Sequence, residues 1–208
     1  MKRALGAAAG TLLALLGARG AAAADAESPG RIHAPLPGSD GVYGRLDGSL
    51  TMALAAGAEL ESGELGGSLR LSGHYLWTAG AYVHYSDAFG GGDRRSARAL
   101  SLGVDVRPLF LPRFALDREH GPALFDLALD SLSLSGGAYF VAPHAGSFGD
   151  DRGFEVGLGL GVPLLAEAEG PWLSLRAERR FADEGQNAWL FSLELGWQEL
   201  ILSTDSPQ

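Results

Sequence analysis

Apolar and polar residues alternate singly along much of this chain. The pattern is cleanest where Phe154, Val156, Leu158, Leu160 and Val162 are separated by Glu155, Gly157, Gly159 and Gly161. A period of two gives a strand with one greasy face and one polar or empty face. The pattern begins at Val42: Val42, Gly44, Leu46, Gly48, Leu50, Met52 and Leu54 take one parity, and Tyr43, Arg45, Asp47, Ser49 and Thr51 the other. From Ser68 to Ser86, Leu69, Leu71, Tyr75, Val83 and Tyr85 oppose Arg70, Ser72, His74, Tyr82 and His84. That run is too long for one strand and predicts a tight turn near Trp77–Gly80. Leu100, Leu102, Val104 and Val106 then oppose Ser101, Gly103, Asp105 and Arg107. Leu132, Leu134, Gly136, Ala138 and Phe140 resume the pattern. Leu173, Leu175, Ala177 and Phe181 against Ser174, Arg176, Glu178 and Arg180 continue it, and Trp189, Phe191, Leu193, Leu195 and Trp197 close it.

Between these runs lie polar, Gly-rich segments: 61–67, 87–96, 143–152 and 182–187 at one end, with turns near 77–80 and 165–170 at the other. Residues 108–130 fit least well. Pro108 and Pro112 break regularity, and Gly121-Pro122 ahead of Ala123–Asp130 predicts a short helix or irregular plug within 112–130. A strand hairpin in this segment would raise the strand count from eight to ten.

The ends locate the chain. Lys2 and Arg3, an apolar stretch from Ala4 to Leu16 and Ala22-Ala23-Ala24 have the layout of a secretory signal peptide, residues 1–24. Residues 25–40 read as a flexible leader, 41–202 as the folded domain and 203–208 as a tail. Removing Lys2, Arg3 and Arg19 from the 16 basic residues leaves 13 against 25 acidic ones, a net charge of −12. So acidic a chain excludes a nucleic-acid footprint. With no Cys there is no disulfide and no thiolate metal site.

The runs are about as long as membrane-spanning strands need to be, roughly 9–11 residues. Aromatic residues gather toward their ends: Tyr43, Tyr75, Trp77, Tyr85, Phe154, Trp172, Phe181, Trp189 and Trp197. Together with export, this predicts an all-β fold, an antiparallel up-and-down transmembrane β-barrel of about eight strands with its apolar face in outer-membrane lipid. The polar parity then points inward and carries Arg45, Arg70, Arg107, Arg176 and Arg180 against Asp47, Asp105, Glu155, Glu178 and Glu194. An eight-stranded barrel is just wide enough for side chains to fill. A balanced set of charges therefore predicts a zipped lumen rather than a pore, with the inward Gly157, Gly159 and Gly161 leaving room for large neighbours. A soluble periplasmic barrel binding an apolar ligand would reverse every face.

From about 42 to 202 the chain resembles the small eight-stranded outer-membrane barrels as a class. The resemblance rests on the signal peptide and the strand pattern. It implies a monomer with a structural or surface-interaction role, contacting an envelope or extracellular partner through its loops. Ser203–Gln208 departs from the terminal aromatic on which such chains often end, although Glu194-Leu195-Gly196-Trp197 partly matches that signal.

Few residues suggest chemistry. His84 and Ser86, two apart on one strand face, are similar to the pair in outer-membrane lipid A 3-O-deacylases, which implies a lipid-modifying hydrolase as an alternative. That family needs an acid on the neighbouring strand, and Asp105 is the only strand acid there. His74 and His84 share a parity but lack a third zinc ligand. Asp150-Asp151 lacks the ligand spacing of a calcium loop. The expectation is no catalytic centre, cofactor or metal.

Overall fold

The structure, a computed structural model, describes residues 43–45, 49–89, 98–116, 118–119, 121–142, 151–183 and 187–201. The expected signal peptide and leader, Asp47, Asp150, most of the 87–96 and 143–152 loops and the 203–208 tail lie outside them. Eight strands form: β1 Leu50–Glu61, β2 Glu64–Tyr75, β3 Ala79–Ala88, β4 Arg98–Val106, β5 Ser133–Ala142, β6 Asp151–Pro163, β7 Gly170–Ala182 and β8 Ala188–Ile201. Each pairs antiparallel with its sequence neighbours, and β1 pairs with β8, so the sheet closes on itself. Closure removes both sheet edges, and no row of unpaired backbone groups remains at the seam. The ten-strand alternative is not realised, because the described residues of 108–130 contribute no strand.

The side-chain parity follows the sequence pattern in β2 to β8, whereas the middle of β1 shows no alternation in burial. On β2, Ser68, Arg70, Ser72 and His74 are buried while Leu69, Leu71 and Tyr75 are exposed; on β6, Glu155 is buried beside exposed Phe154, Val156 and Leu158. On β8, Ser192, Glu194 and Gln198 point in, and Phe191, Leu193, Leu195 and Trp197 point out. The buried side chains are thus largely polar or charged, and the exposed belt is largely Leu, Val and Phe.

Three boundaries differ from the sequence expectation. β1 starts at Leu50 rather than Val42, and Tyr43-Gly44-Arg45 form a turn ahead of it. The segment 61–67 is not a loop: β1 and β2 pair up to Glu61↔Glu64 and join through Ser62 and Gly63 alone. Both have positive φ, 51° and 90°, the twist that a two-residue hairpin requires. Ladder hydrogen bonding does not need apolar side chains, so the strands continue past the apolar run. The β2–β3 turn is centred on Leu76 and Trp77, both at positive φ without being glycine, and Thr78 N–H donates to Tyr75 O at 3.0 Å.

Between β4 and β5 two short helices form, one more than expected: α1 Phe110–Ala115 and α2 Ala123–Asp130. Pro112 is compatible with α1 because it sits in the first turn, where the backbone N–H has no helical partner. Phe110 and Leu127 from these helices pack with Trp77, Ala168 and Trp172 into the main apolar cluster, with Tyr43 and Leu200 at its margin. The cluster draws on the β2–β3 and β6–β7 turns, so the helical connection caps that mouth of the barrel. Trp77 and Trp172 (ring centroids 5.7 Å apart) therefore face inward. They do not belong to the outer aromatic ring in which their strand-end positions had placed them.

Candidate functional site

The inward faces build a layered ionic interior. Nearest the β1–β2 hairpin, Arg180 Nε lies 3.1 Å from Glu155 Oε2 and its Nη1 lies 3.8 Å from Glu61 Oε1. Glu155 also accepts from Tyr82 Oη at 2.8 Å and from Ser101 Oγ at 2.9 Å. One layer further, Arg70 donates to Glu178 at 2.9 Å and stacks 4.0 Å over the Tyr82 ring. Glu194 accepts from Ser68 at 2.9 Å. Toward the cap, Asp105 lies 2.9 Å from His74 Nε2 and 3.1 Å from Arg176 Nη1. Arg107 stacks 4.4 Å from the Trp77 ring centre.

Small residues make this packing sterically feasible. A Cβ on Gly157 would lie 2.6 Å from Glu178 Cγ, one on Gly159 3.0 Å from Arg176 Nη1 and one on Gly161 3.0 Å from Trp172 Cε3. Large inward side chains of β7 occupy the space that these glycines of β6 leave.

The cap carries its own charge cluster. Arg45 pairs with Glu119 at 2.7 Å and with Asp130, and its guanidinium lies 4.5 Å from the Phe110 ring centre. Arg113 pairs with Asp126 and, at 2.6 Å, with Asp130. Tyr43 Oη donates to Asp126 and to Gly121 O, both at 3.1 Å, and Gly121 N–H donates to Asp126 at 2.8 Å. Burial, followed by the neighbouring Asp130 carboxyl, pushes the Glu119 carboxyl up to about 7 despite Arg45.

Of the ten charges expected in one lumen network, Arg70, Asp105, Glu155, Arg176, Glu178 and Arg180 are joined through carboxylate–guanidinium contacts. Glu194 meets a hydroxyl, Arg107 an aromatic ring and Arg45 the cap, while Asp47 lies outside the described residues. Sequence reasoning missed Glu59, Glu61, Arg113, Glu119, Asp126 and Asp130. Asp126 and Asp130, four apart on α2, share a helix face, which is a signal the sequence did contain.

The His84–Ser86 pair is inside the lumen and buried. His84 Nε2 lies 3.3 Å from Glu59 Oε2 and its Nδ1 lies 3.9 Å from Glu178 Oε2, so both ring nitrogens face carboxylates from strands that are not its neighbours. His74 and His84 do not meet. The register pairs His84 with Arg70 and His74 with Gly80, a separation of four residues or about 13 Å along the ladder. Among the described residues no cluster of three His, Asp or Glu side chains is arranged to hold a metal.

Exposed aromatic residues lie toward each mouth on the outer surface. Phe154 and Phe181 are ladder partners on the hairpin side, where Trp189 and Phe191 stack at 6.2 Å and Arg179 lies 5.1 Å from the Trp189 ring centre. Tyr75 and Trp197 occupy the capped side. No helix among the described residues is long and apolar enough to cross a membrane.

No family model matches this sequence, and no curated protein matches it. Three solved structures are similar at low identity. Neisserial surface protein A has 14% identity and a TM-score of 0.46, covering 74% of this chain and 97% of its own. The N-terminal β-barrel domain of Pseudomonas aeruginosa OprF has 11% identity and a TM-score of 0.45, covering 73% and 99%. The attachment invasion locus protein of Yersinia pestis, solved with the heparin analogue sucrose octasulfate, has 13% identity and a TM-score of 0.38, covering 73% and 97%.

Proposed function

We propose that this chain is an outer-membrane β-barrel with a filled, charge-paired interior, serving as a structural or surface-interaction element of the envelope rather than as a catalyst. The observation that carries this reading is the inverted polarity of the barrel. Arg70, Glu155, Glu178, Arg180 and Glu194 are nearly sealed from solvent, while Val104, Leu158 and Leu195 are 60%, 55% and 57% exposed. In water such a belt would be a large adhesive surface. In lipid it is the required outer face, and the closed ladder leaves no backbone group unpaired at its seam. A soluble barrel holding an apolar ligand needs the opposite arrangement.

The capped mouth, with its short turns at 76–78 and 164–169, faces the periplasm in this reading, and the four other connections face outward to meet partners. Closure of β1 on β8 leaves no edge for strand exchange, in keeping with a monomer. Both ring nitrogens of the buried His84 face carboxylates and Ser86 is buried beside it, which supports a packing role over hydrolysis. The test is membrane fractionation of the expressed protein with gel mobility read before and after boiling. Detergent-dependent extraction with a mobility shift on boiling supports the proposal. Recovery in the soluble periplasmic fraction overturns it.

A further inference from the structure

The inverted polarity of the barrel does not stop at the strands. Between β4 and β5 the chain turns its charges inward again. Glu119 and the α2 residues Asp126 and Asp130 are buried in the ion-pair cluster with Arg45 and Arg113. The side chains left outside are Leu111 and Phe114 of α1, then Leu116, then Leu124 and Phe125 of α2, with Leu116 and Phe125 64% and 62% exposed. Arg118 is the one exposed charge among the described residues of this connection. A surface helix in water turns its apolar stripe to the core and its charges outward. On α2 both acids face the barrel, while Leu124 and Phe125 face away from it. In water such a patch would be an adhesive surface.

The patch is continuous with the belt on the strands. Val106 and Leu134 are ladder partners at the ends of β4 and β5 that the two helices connect, and both are exposed. Leu164, also exposed, prolongs the outward row of Leu158 and Leu160 past the end of β6, the strand against which α2 packs. Its N–H donates to Pro171 O at 2.9 Å, so the ladder persists there. This continuity selects the occupant. A protein interface has an apolar centre and a polar rim, whereas here the strand side of the patch runs into more apolar surface. Lipid covers both without a boundary.

We propose that α1 and α2 lie in the membrane interface on the capped side, with Leu111, Phe114, Leu116, Leu124 and Phe125 seated among the acyl chains just below the headgroups. The occupant is phospholipid of the periplasmic leaflet, and the cap anchors the barrel as well as closing its mouth. This rests on the reading of the strands as a lipid-embedded barrel.

The test uses the full mature chain folded into phosphatidylcholine vesicles. A single NBD fluorophore is attached to Leu116→Cys, Phe125→Cys or, as the belt reference, Leu158→Cys. The vesicles contain phosphatidylcholine with a quenching nitroxide either near the headgroup or deep in the acyl chain. The labels at 116 and 125 are expected to lose fluorescence chiefly to the shallow nitroxide, as for an apolar face roughly 5–10 Å into the headgroup boundary, and to resist aqueous iodide. The label at 158 should lose it chiefly to the deep nitroxide. Quenching at 158 together with iodide-accessible cap labels overturns the proposal and leaves the barrel in lipid. Cap labels shielded from iodide and nitroxide alike mean that a second copy covers the patch, which overturns it too. An unquenched label at 158 means that the barrel reading itself fails, and the proposal with it. Photolabelling the unsubstituted chain with an apolar diazirine dissolved in the bilayer needs no variant. Adducts within 109–116 and 123–129 are expected beside those on the strands; labelled strands with an unlabelled cap contradict the proposal.

Discussion

Glu155 and Arg180 are direct partners in the β6–β7 ladder, and their side chains meet inside the barrel at 3.1 Å. The register that pairs their backbones also pairs their charges, so strand alignment and lumen electrostatics are one constraint. Removing Arg180 alone leaves Glu155 buried and uncompensated. Arg180→Met is expected to cost about 3–5 kcal/mol, as breaking a buried pair from one side generally does. Adding Glu155→Gln should restore most of that, because the neutral amide keeps one oxygen to accept from Tyr82 and offers its NH2 to the Ser101 hydroxyl oxygen, which can accept. Urea unfolding in lipid vesicles, followed by tryptophan fluorescence, measures both.

The seam between β1 and β8 depends on a close backbone approach. A Cβ on Gly57 would fall 2.0 Å from Leu193 O, and backbone cannot yield there without opening the ladder. Gly57→Val is expected to cost about 3 kcal/mol or more and to leave an unclosed species without heat-modifiable mobility. Gly136→Ala is the contrast: its Cβ would meet Phe154 Cζ at 3.7 Å, an ordinary contact, and should fold normally.

These two cases also show what the sequence could reveal. Which residues point inward was legible because Gly, Ser and charged residues alternate with Leu and Val over most strands. The signal failed in Ala55–Ala58, where residues of both parities are small, and so Glu59 and Glu61 went unrecognised as lumen acids. The His84 contacts were not legible at all. Glu59 and Glu178 reach it across the barrel from β1 and β7, and no spacing along the chain encodes a contact through the lumen. Trp77 and Trp172 look the same in sequence whether they point in or out, since a strand-end aromatic suits a lipid interface and a capped mouth equally well. The cap was half legible: Pro122 marked the start of α2, whereas Pro112 read as a breaker although it lies in the first turn of α1.

The cap should loosen as pH rises. The folded-state Glu119 carboxyl titrates near 7, above its ordinary 4.5, so the folded cap favours the protonated form. Its stabilising contribution is complete below about pH 4.5 and is lost as pH rises through about 7, where Glu119 ionises beside Asp130. Hydrogen exchange in α2, corrected for intrinsic rates, is expected to be faster at pH 8 than at pH 5.5. Glu119→Gln should remove most of that difference.

A charge on the lipid face should be costly in a way that water would not make it. Leu158 sits mid-strand on β6 and is 55% exposed in the isolated barrel. In a bilayer, Leu158→Arg is expected to destabilise by about 2–4 kcal/mol, the penalty of a cation near the membrane midplane. Unfolding of the two proteins in vesicles gives the difference directly.

The most direct test of an inverted barrel is a spin-label scan along β8, which the absence of Cys makes simple because each introduced thiol is unique. Labels at Phe191, Leu193, Leu195 and Trp197 should collide with dissolved oxygen and be shielded from a water-soluble nickel complex. Labels at Ser192 and Glu194 should be shielded from both, giving a period of two with lipid on the odd positions. Access of the nickel complex to the odd positions, with a dry apolar interior at the even ones, would contradict the account.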